Sequence, residues 1–218
     1  TKEGGRKEYY NRKQGWLYAL EQSKTTDVKI TLNADWKARK GNFDYGAAGS
    51  TGGALYISDD CTHNITIDLN GYTIDRGLTQ PVENGLVFYI DTYGSLTIMD
   101  SSEEQTGTIT GAYNSTEYAF ADSFGGAFHV DYGTLYIKGG NITGNIAEYG
   151  AGIYCDDQDD ASVYIQGGKI FGNTATVDGG GIFMENGYLY VEGGEITGNK
   201  AQNGAGVYWT SDNAAYFI

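Results

Sequence analysis

The densest group of residues that could bind a metal ion is a short acidic segment in the second half of the chain. Four aspartates lie close together there: Asp156, Asp157, Asp159 and Asp160. Carboxylate oxygens are the ligands that Ca²⁺ prefers, so this segment is a candidate calcium site. The alternative is a solvated acidic turn, because the spacing does not follow that of a defined calcium loop. The residues indicate no other cofactor.

Residues that could catalyse a reaction are scattered rather than clustered. The candidate acids fall on one early stretch and on one later turn: Asp59, Asp60, Asp68 and Asp75, then Asp100, Glu103 and Glu104. Arg76 follows Asp75, which is typical of an ion pair at a corner. His63 and His129 are isolated, and we interpret both as outward-facing surface histidines. No catalytic triad spacing or phosphate-binding loop is present, since the glycines at 179–181 precede a strand rather than a helix.

The composition excludes several classes of protein before any element is assigned. The 218 residues include 34 glycines, 19 tyrosines and one proline, with a net charge of −14. Glycine without a three-residue period and without proline excludes collagen. A pI near 4.3 disfavours nucleic-acid binding, which needs clusters of lysine and arginine. No apolar run approaches the ~20 residues of a transmembrane helix.

An internal repeat organises the last hundred residues. Its units start with a glycine-rich step and contain a Gly-Asn pair, and they span 125–149, 150–178, 179–203 and the incomplete 204–218. The longer second unit differs by the acidic segment around Asp156, as expected for an insertion in one turn of a solenoid. Because the last unit stops midway, we expect further domains in the same chain. We divide the chain into an N-terminal segment, 1–27, and a repeat domain, 28–218.

Each repeat contains three short stretches in which apolar and outward-facing residues alternate with period two. In the first unit they are FHV, LYI and NIT, and frequent glycines make a helix unfavourable. Three strands per repeat predict an all-β, right-handed parallel β-helix of about six to seven coils. The inward residues predicted for the three full repeats are Phe128, Val130, Leu135, Ile137, Ile142, Ile153, Cys155, Val163, Ile165, Ile170, Ile182, Met184, Leu189, Val191 and Ile196.

Two further features belong to the ends and corners of this solenoid. Trp16, Leu17 and Leu20 have helical spacing within 14–24, which predicts a short helix capping the N-terminal end of the core. The Gly-Asn steps predict tight corners, where glycine and asparagine accept a positive φ. This corner role alone explains Asn145, Asn173 and Asn199, and the alternative is that they also stack as an amide ladder.

The outward positions of the first two strands form two columns that are rich in aromatic residues. The first column reads Tyr56, Tyr89, His129, Tyr154, Phe183 and Tyr208, and the second reads Thr66, Thr97, Tyr136, Tyr164, Tyr190 and Phe217. Two interpretations remain open. Stacked rings stabilise neighbouring strands, whereas exposed rings form a binding surface for a glycan or a protein. In the third strands, Lys169 and Glu195 are expected to pair.

The segments NITIDLNGYTIDRG (64–77) and SLTIMDSS (95–102) resemble the opening coils of pectate-lyase-like β-helix modules of large bacterial surface proteins. The GGxI-T/F-GN-x-A units are similar to the coil repeats of bacterial adhesins, although TGN and FGN replace the FxxN segments of outer-membrane members. The resemblance implies a β-helix that serves as an adhesin or as a polysaccharide lyase or hydrolase. An enzyme of this kind would carry a calcium site or paired aspartates.

From these observations we expect a non-catalytic module of a bacterial cell-surface or secreted protein, which binds a glycan or a partner protein or acts as a rigid spacer. The expected location is extracellular. The alternative is a carbohydrate-active enzyme, which the strongly negative charge disfavours for acidic polysaccharides. Cys61 and Cys155 are expected to be buried thiols rather than a disulfide framework.

Overall fold

Parallel strands stacked in successive coils make up nearly all of the fold. The computed structural model describes residues 12–38, 55–82, 84–91, 93–114, 124–156, 161–210 and 216–217. The described part contains one helix, α1 (Arg12–Ser23), and 21 strands, all paired in parallel. A parallel β-helix solenoid, as the repeat predicts, is therefore confirmed.

Three long sheets form the walls of the solenoid, and each complete coil contributes one strand to each of them. Sheet 1 contains β3 (Leu55–Ile57), β6 (Phe88–Ile90), β9 (Phe128–Val130), β13 (Ile153–Cys155), β17 (Ile182–Met184) and β20 (Val207–Trp209). Sheet 2 contains β1 (Val28–Thr31), β4 (Ile65–Asp68), β7 (Ser95–Met99), β10 (Thr134–Ile137), β14 (Ser162–Ile165), β18 (Tyr188–Val191) and β21 (Tyr216–Phe217). Sheet 3 contains β2 (Trp36–Lys37), β5 (Thr73–Asp75), β8 (Thr108–Thr110), β11 (Asn141–Thr143), β15 (Lys169–Phe171) and β19 (Glu195–Thr197).

A fourth, two-stranded sheet extends two of the coils beyond the three predicted strands. It pairs β12 (Ile146–Tyr149) with β16 (Thr174–Asp178). Its inward alanines, Ala147 and Ala175, pack with Ala151 in a small cluster of their own. The sequence did not indicate these strands, because the inward residue of each is a small alanine, which gives a weak period-two signal.

The core is a continuous stack of aliphatic side chains inside the three walls. Equivalent residues of successive coils pair directly, as Ile142 does with Ile170 and then Ile170 with Ile196. All the predicted inward residues are buried, except Val191 and Ile196 of the last full repeat, which are partly buried. Parallel pairing in strict register therefore places each apolar residue on its own equivalent in the next coil.

One predicted register position is wrong by a single residue. The second column was assigned Phe217 in the last coil, but Tyr190 pairs with Tyr216, and Phe217 pairs with the inward-facing Val191. A one-residue shift exchanges the two faces of a strand. Tyr216 and Phe217 are adjacent aromatic residues, so the residue types alone do not determine which of the two belongs to the outward column.

Helix α1 covers the N-terminal end of the core, as predicted. Trp16 is 1% exposed, and its ring packs edge-on against Trp36 and Phe88, each with a centroid separation of 6.3 Å. Leu20 is partly buried against the same core, whereas Leu17 is 39% exposed and does not contribute to the cap. The buried face of the helix is therefore narrower than the sequence indicated.

An amide ladder runs inside the corner that follows sheet 3. Asn145 Nδ2 donates to Asn173 Oδ1, and Asn173 Nδ2 donates to Asn199 Oδ1, both at 3.0 Å. The glycine ahead of each asparagine has a positive φ of 67°, 64° or 59°, which explains why glycine stands at the corner. Asn145 and Asn173 are fully buried, and Asn199 is 9% exposed. The ladder therefore provides hydrogen-bond partners for buried amide groups in successive coils.

Replacing Asn173 with alanine should lower the free energy of unfolding by about 2–4 kcal/mol, because neighbouring buried amide groups lose their hydrogen bonds. Urea denaturation followed by circular dichroism measures the change. The control is Lys169→Ala, which breaks the exposed Lys169–Glu195 pair of sheet 3 and should cost under about 1 kcal/mol. Equal losses in the two variants would contradict the role of the ladder.

Candidate functional site

The first aromatic column lies on the outer face of sheet 1, but it is not exposed. His129 and Tyr154 are 0% and 1% exposed, Phe183 is 5% and Tyr89 is 9%. Tyr56 and Tyr208, at the two ends of the column, are half-buried. The prediction of an open aromatic surface is therefore wrong for this column, and so is the interpretation of His129 as a surface histidine.

Rings outside sheet 1 account for part of this burial. Phe124 packs on Tyr154 with a centroid separation of 4.9 Å, and Tyr149 packs on Phe183 at 5.3 Å. Neighbouring rings within the column also cover one another, at 4.5 Å for Tyr89 and His129 and 5.1 Å for His129 and Tyr154. An alternating pattern in one strand cannot show that a second layer of rings lies over it.

A row of acids accompanies the first column, one residue beyond the end of four of the six sheet 1 strands, β6, β9, β13 and β17. Its members are Asp91, Asp131, Asp156 and Glu185. Three tyrosine hydroxyls of the column donate to the acid of the following coil: Tyr56 to Asp91, Tyr89 to Asp131 and Tyr154 to Glu185. The row was not predicted from the sequence, although Asp131, Asp156 and Glu185 occupy equivalent positions of the aligned repeats.

His129 occupies the same position in this pattern with different chemistry. Its Nε2 lies 3.1 Å from Asp156 Oδ2, and its Nδ1 lies 3.0 Å from the backbone oxygen of Phe124. Asp131 is close by, so that one ligand atom from each of His129, Asp131 and Asp156 lies within 4.8 Å of the others.

Burial raises the pKa of the Asp131 carboxyl, and the charges of Asp156 and Asp91 add to the rise. The hydrogen bond from Tyr89 and the nearby His129 act in the opposite direction. Burial also raises the pKa of the Tyr89 hydroxyl, with the charge of Asp131 as the next cause. The acid row therefore brings several carboxylates close together on a half-buried part of the surface beside sheet 1.

The acidic segment of the sequence is only partly described by the structure. Asp156 belongs to the acid row, whereas Asp157, Asp159 and Asp160 lie outside the described residues. The calcium site predicted on those four aspartates stays a prediction. Within the described residues, Asp156 has His129 and Asp131 as its neighbours.

The second aromatic column is half-exposed on the outer face of sheet 2. The rings of Tyr136 and Tyr164 are stacked with centroids 4.8 Å apart, and those of Tyr164 and Tyr190 with centroids 4.3 Å apart. The planes of the second pair differ by only 6°, so ring faces cover each other along the solenoid axis. The side of this tyrosine stack therefore presents ring edges and hydroxyl groups. Lys138 Nζ lies 5.4 Å from the centre of the Tyr136 ring.

Three more tyrosines extend this surface toward the start of the sheet 2 strands. Tyr93 is 72% exposed and lies 5.9 Å from Tyr132, and Tyr188 is 39% exposed and lies 6.5 Å from Tyr190, measured between ring centroids. We call the whole surface the tyrosine face; its residues are Tyr93, Tyr132, Tyr136, Tyr164, Tyr188 and Tyr190.

Two of the candidate catalytic acids are engaged in structural hydrogen bonds. Asp100 accepts backbone N–H groups of Gly71, Ser102 and Gly107. Asp68 is buried, accepts the N–H of Ser101 and forms an ion pair with Lys29 at 2.9 Å. Both carboxylates therefore hold the backbone of adjacent coils.

Other predicted polar residues also have structural contacts. Arg76 is buried, and its Nε donates to the carbonyl oxygen of Leu86. Lys169 and Glu195 form the predicted ion pair, with a separation of 3.0 Å. Cys61 and Cys155 are both buried and outside any disulfide, as expected. Burial raises the pKa of the Cys155 thiol, which keeps it protonated and unreactive.

Comparisons with family models, curated proteins and solved structures find no match to this chain. Among the described residues, no helix has the length and apolar character needed to cross a membrane. The fold and the site define the class as a parallel β-helix with stacked aromatic columns. The function is therefore inferred from the geometry.

Asp68 gives a pH-dependent test of the structural role of the acids. Burial alone would raise its pKa, but Lys29 and the N–H of Ser101 hold the pKa below the usual value. The ionised carboxylate therefore contributes stability above pH ~4, and this stability is lost as the pH falls through the lowered pKa. Asp68→Asn should cost about 1–2 kcal/mol at neutral pH, with a shrinking difference in more acidic solution. Urea unfolding at several pH values measures this.

The matched variant for that experiment is Lys29→Met, which removes the partner of the same ion pair. It should remove a similar pH-dependent part of the stability, since the pKa of Asp68 then returns toward that of a buried acid. A deficit of Asp68→Asn that stays constant at every pH would contradict this account.

The two aromatic columns should differ sharply in their energetic weight. Phe183→Ala opens a cavity in a covered layer and should cost ~3 kcal/mol or more. Tyr190→Ala removes a half-exposed ring from a stack and should cost about 1–2 kcal/mol. Thermal and urea unfolding of both variants measure the contrast. Equal costs would show that the first column is no better packed than the second.

Proposed function

We propose that this chain is a non-catalytic β-helix module of a bacterial cell-surface or secreted protein, and that the tyrosine face is its contact surface for a partner protein. The observation that carries the proposal is the half-exposed stack of Tyr136, Tyr164 and Tyr190 on sheet 2, which Tyr93 and Tyr188 extend.

Tyrosine suits such a surface for physical reasons. Its ring buries a large area on binding while only two side-chain torsions are restricted, and its hydroxyl forms hydrogen bonds at the rim. The rings of Tyr136, Tyr164 and Tyr190 are already held by stacking, so they lose little further conformational freedom when a partner binds. Strict inter-coil register keeps them rigid, since each ring is attached to a hydrogen-bonded strand.

The orientation of the rings favours a protein over a flat sugar. Pyranoses stack on exposed ring faces. In the tyrosine stack those faces cover each other, with ring centroids 4.3–4.8 Å apart. Ring edges and hydroxyls remain, and they complement the mixed polar and apolar surface of a protein. The net charge of −14 also disfavours acidic polysaccharides as partners.

The engaged carboxylates support a binding role over catalysis. A polysaccharide lyase or hydrolase needs acids or bases that can reach the substrate. Asp68 and Asp100, two of the candidates that the sequence offered, are hydrogen-bonded to backbone amides of neighbouring coils. The resemblance of 64–77 and 95–102 to β-helix modules of bacterial surface proteins supports the extracellular location.

The test is binding of the labelled protein to intact host epithelial cells. The double variant Tyr136→Ala, Tyr164→Ala should bind at least about tenfold more weakly, because buried tyrosines are typical interface hot spots. Tyr154→Phe is the control; it alters only the buried first column and should bind as the unaltered protein does. Circular dichroism and thermal unfolding confirm that each variant is folded.

Treatment of the cells identifies the class of partner. Protease treatment should abolish binding, and periodate oxidation of surface glycans should leave it unchanged. The reverse pattern would assign a glycan partner and overturn the proposed partner class. Unchanged binding by the double variant would overturn the tyrosine face as the contact surface.

A further inference from the structure

His129 departs from the hydrogen-bonding rule of its own column. In three other coils the column residue is a tyrosine whose hydroxyl donates a hydrogen bond to the neighbouring acid. In the coil of His129, an imidazole nitrogen lies 3.1 Å from Asp156 Oδ2 instead. The chemistry of this contact depends on which imidazole nitrogen carries hydrogen.

Both polar neighbours of the imidazole nitrogens are hydrogen-bond acceptors. The backbone carbonyl oxygen of Phe124 lies 3.0 Å from Nδ1, and Asp156 Oδ2 lies 3.1 Å from Nε2. A neutral imidazole carries hydrogen on only one nitrogen, so it satisfies only one of these two contacts. With the hydrogen on Nδ1, the contact between Nε2 and the carboxylate requires a shared cation, which is either a proton or a metal ion.

We propose that His129 Nε2, together with one carboxylate oxygen each from Asp131 and Asp156, binds a Zn²⁺ ion. Two ligand atoms at ~2.0 Å from a tetrahedral zinc lie roughly 3.3 Å from each other. The separation of 3.1 Å between Nε2 and Asp156 Oδ2 is close to this value. All three ligand atoms lie within 4.8 Å of one another, which small side-chain rotations can close.

Groups outside the three ligands already orient them as metal sites require. Zinc-bound histidines donate their second N–H to a carbonyl or carboxylate, and the ligating carboxylates are themselves hydrogen-bonded. Phe124 supplies the carbonyl for His129, and the Tyr89 hydroxyl donates to Asp131 at 3.0 Å. The rings of Tyr89 and Tyr154 hold the fully buried imidazole between them, with centroids at 4.5 and 5.1 Å.

The donor set favours zinc over calcium or magnesium. Ca²⁺ and Mg²⁺ prefer oxygen ligands, whereas zinc readily combines imidazole nitrogen with carboxylate oxygen. Two carboxylates balance the charge of the ion. The Asp156 side chain is 20% exposed, so an ion has a route from solvent, and a water molecule can complete the tetrahedron.

The test is zinc binding by protein freed of metal with EDTA, measured by isothermal titration calorimetry with ZnCl₂ alone. One ion should bind per chain, and it should raise the thermal unfolding temperature. His129→Tyr installs the residue that is common in this column, so it preserves the stack and removes the nitrogen ligand. It should weaken binding at least about 100-fold, since even outer-shell partners contribute roughly 10- to 100-fold.

Further variants separate this site from others on an acidic protein. The chain has only two histidines, so His63→Gln is the matched control and should bind zinc normally. Asp159→Asn with Asp160→Asn should also bind normally, whereas Asp131→Asn should weaken binding. Tyr89→Phe, which removes only the hydroxyl beside Asp131, should weaken it roughly tenfold.

The histidine nitrogens supply a readout that does not depend on affinity. With only two imidazoles, ¹H–¹⁵N spectra should show a zinc-dependent shift of the His129 Nε2 signal while Nδ1 stays protonated. Zinc binding that survives in His129→Tyr but disappears in the Asp159/Asp160 variant would overturn the proposal. So would an Nε2 that stays protonated at saturating zinc, because the contact is then an imidazolium–carboxylate pair.

Discussion

Parallel hydrogen bonding between coils, in strict register, is the constraint on which the whole structure depends. Each residue of a sheet strand lies directly beside its equivalent in the next coil, at the strand spacing of about 4.8 Å. Side chains at equivalent positions of successive coils therefore form a column along the solenoid axis. Isoleucines fill the interior in this way, asparagines form the corner ladder, and aromatic rings stack outside sheets 1 and 2.

Stacking like on like has different consequences for different side chains. Aliphatic and aromatic columns gain packing from each added coil, and amide columns satisfy their own donors and acceptors. A column of carboxylates gains nothing by itself, because like charges repel. The tyrosine hydroxyls of the adjacent column donate hydrogen bonds to the acid row beside sheet 1. His129 replaces that hydroxyl with an imidazole, whose Nε2 lies 3.1 Å from Asp156 Oδ2.

Much of the fold was predictable because its signals are local and repeated. The alternation in FHV, LYI and NIT identified the three strands and their inward faces, and the Gly-Asn steps identified the corners. Errors arose where the local signal is weak. The register of Phe217 is wrong by one residue because Tyr216 and Phe217 are both aromatic. Leu17 lies outside the buried helix face, which includes Trp16, Ala19, Leu20 and Ser23. The candidate site was predicted less well, because Asp156 lies far from His129 in the sequence and no spacing of residues connects the two.

The sequence by itself determined which residues of each coil face inward, because period-two alternation and repeat spacing are properties of the chain alone. It also determined the columns, since equivalent positions of a repeat must stack. Only the tertiary structure decided which outward column is covered, because Phe124 and Tyr149 reach sheet 1 from other segments. It alone brought His129, Asp131 and Asp156 together across two coils. Their proximity depends on side-chain directions and on a carbonyl contact, which no pattern of residue types encodes.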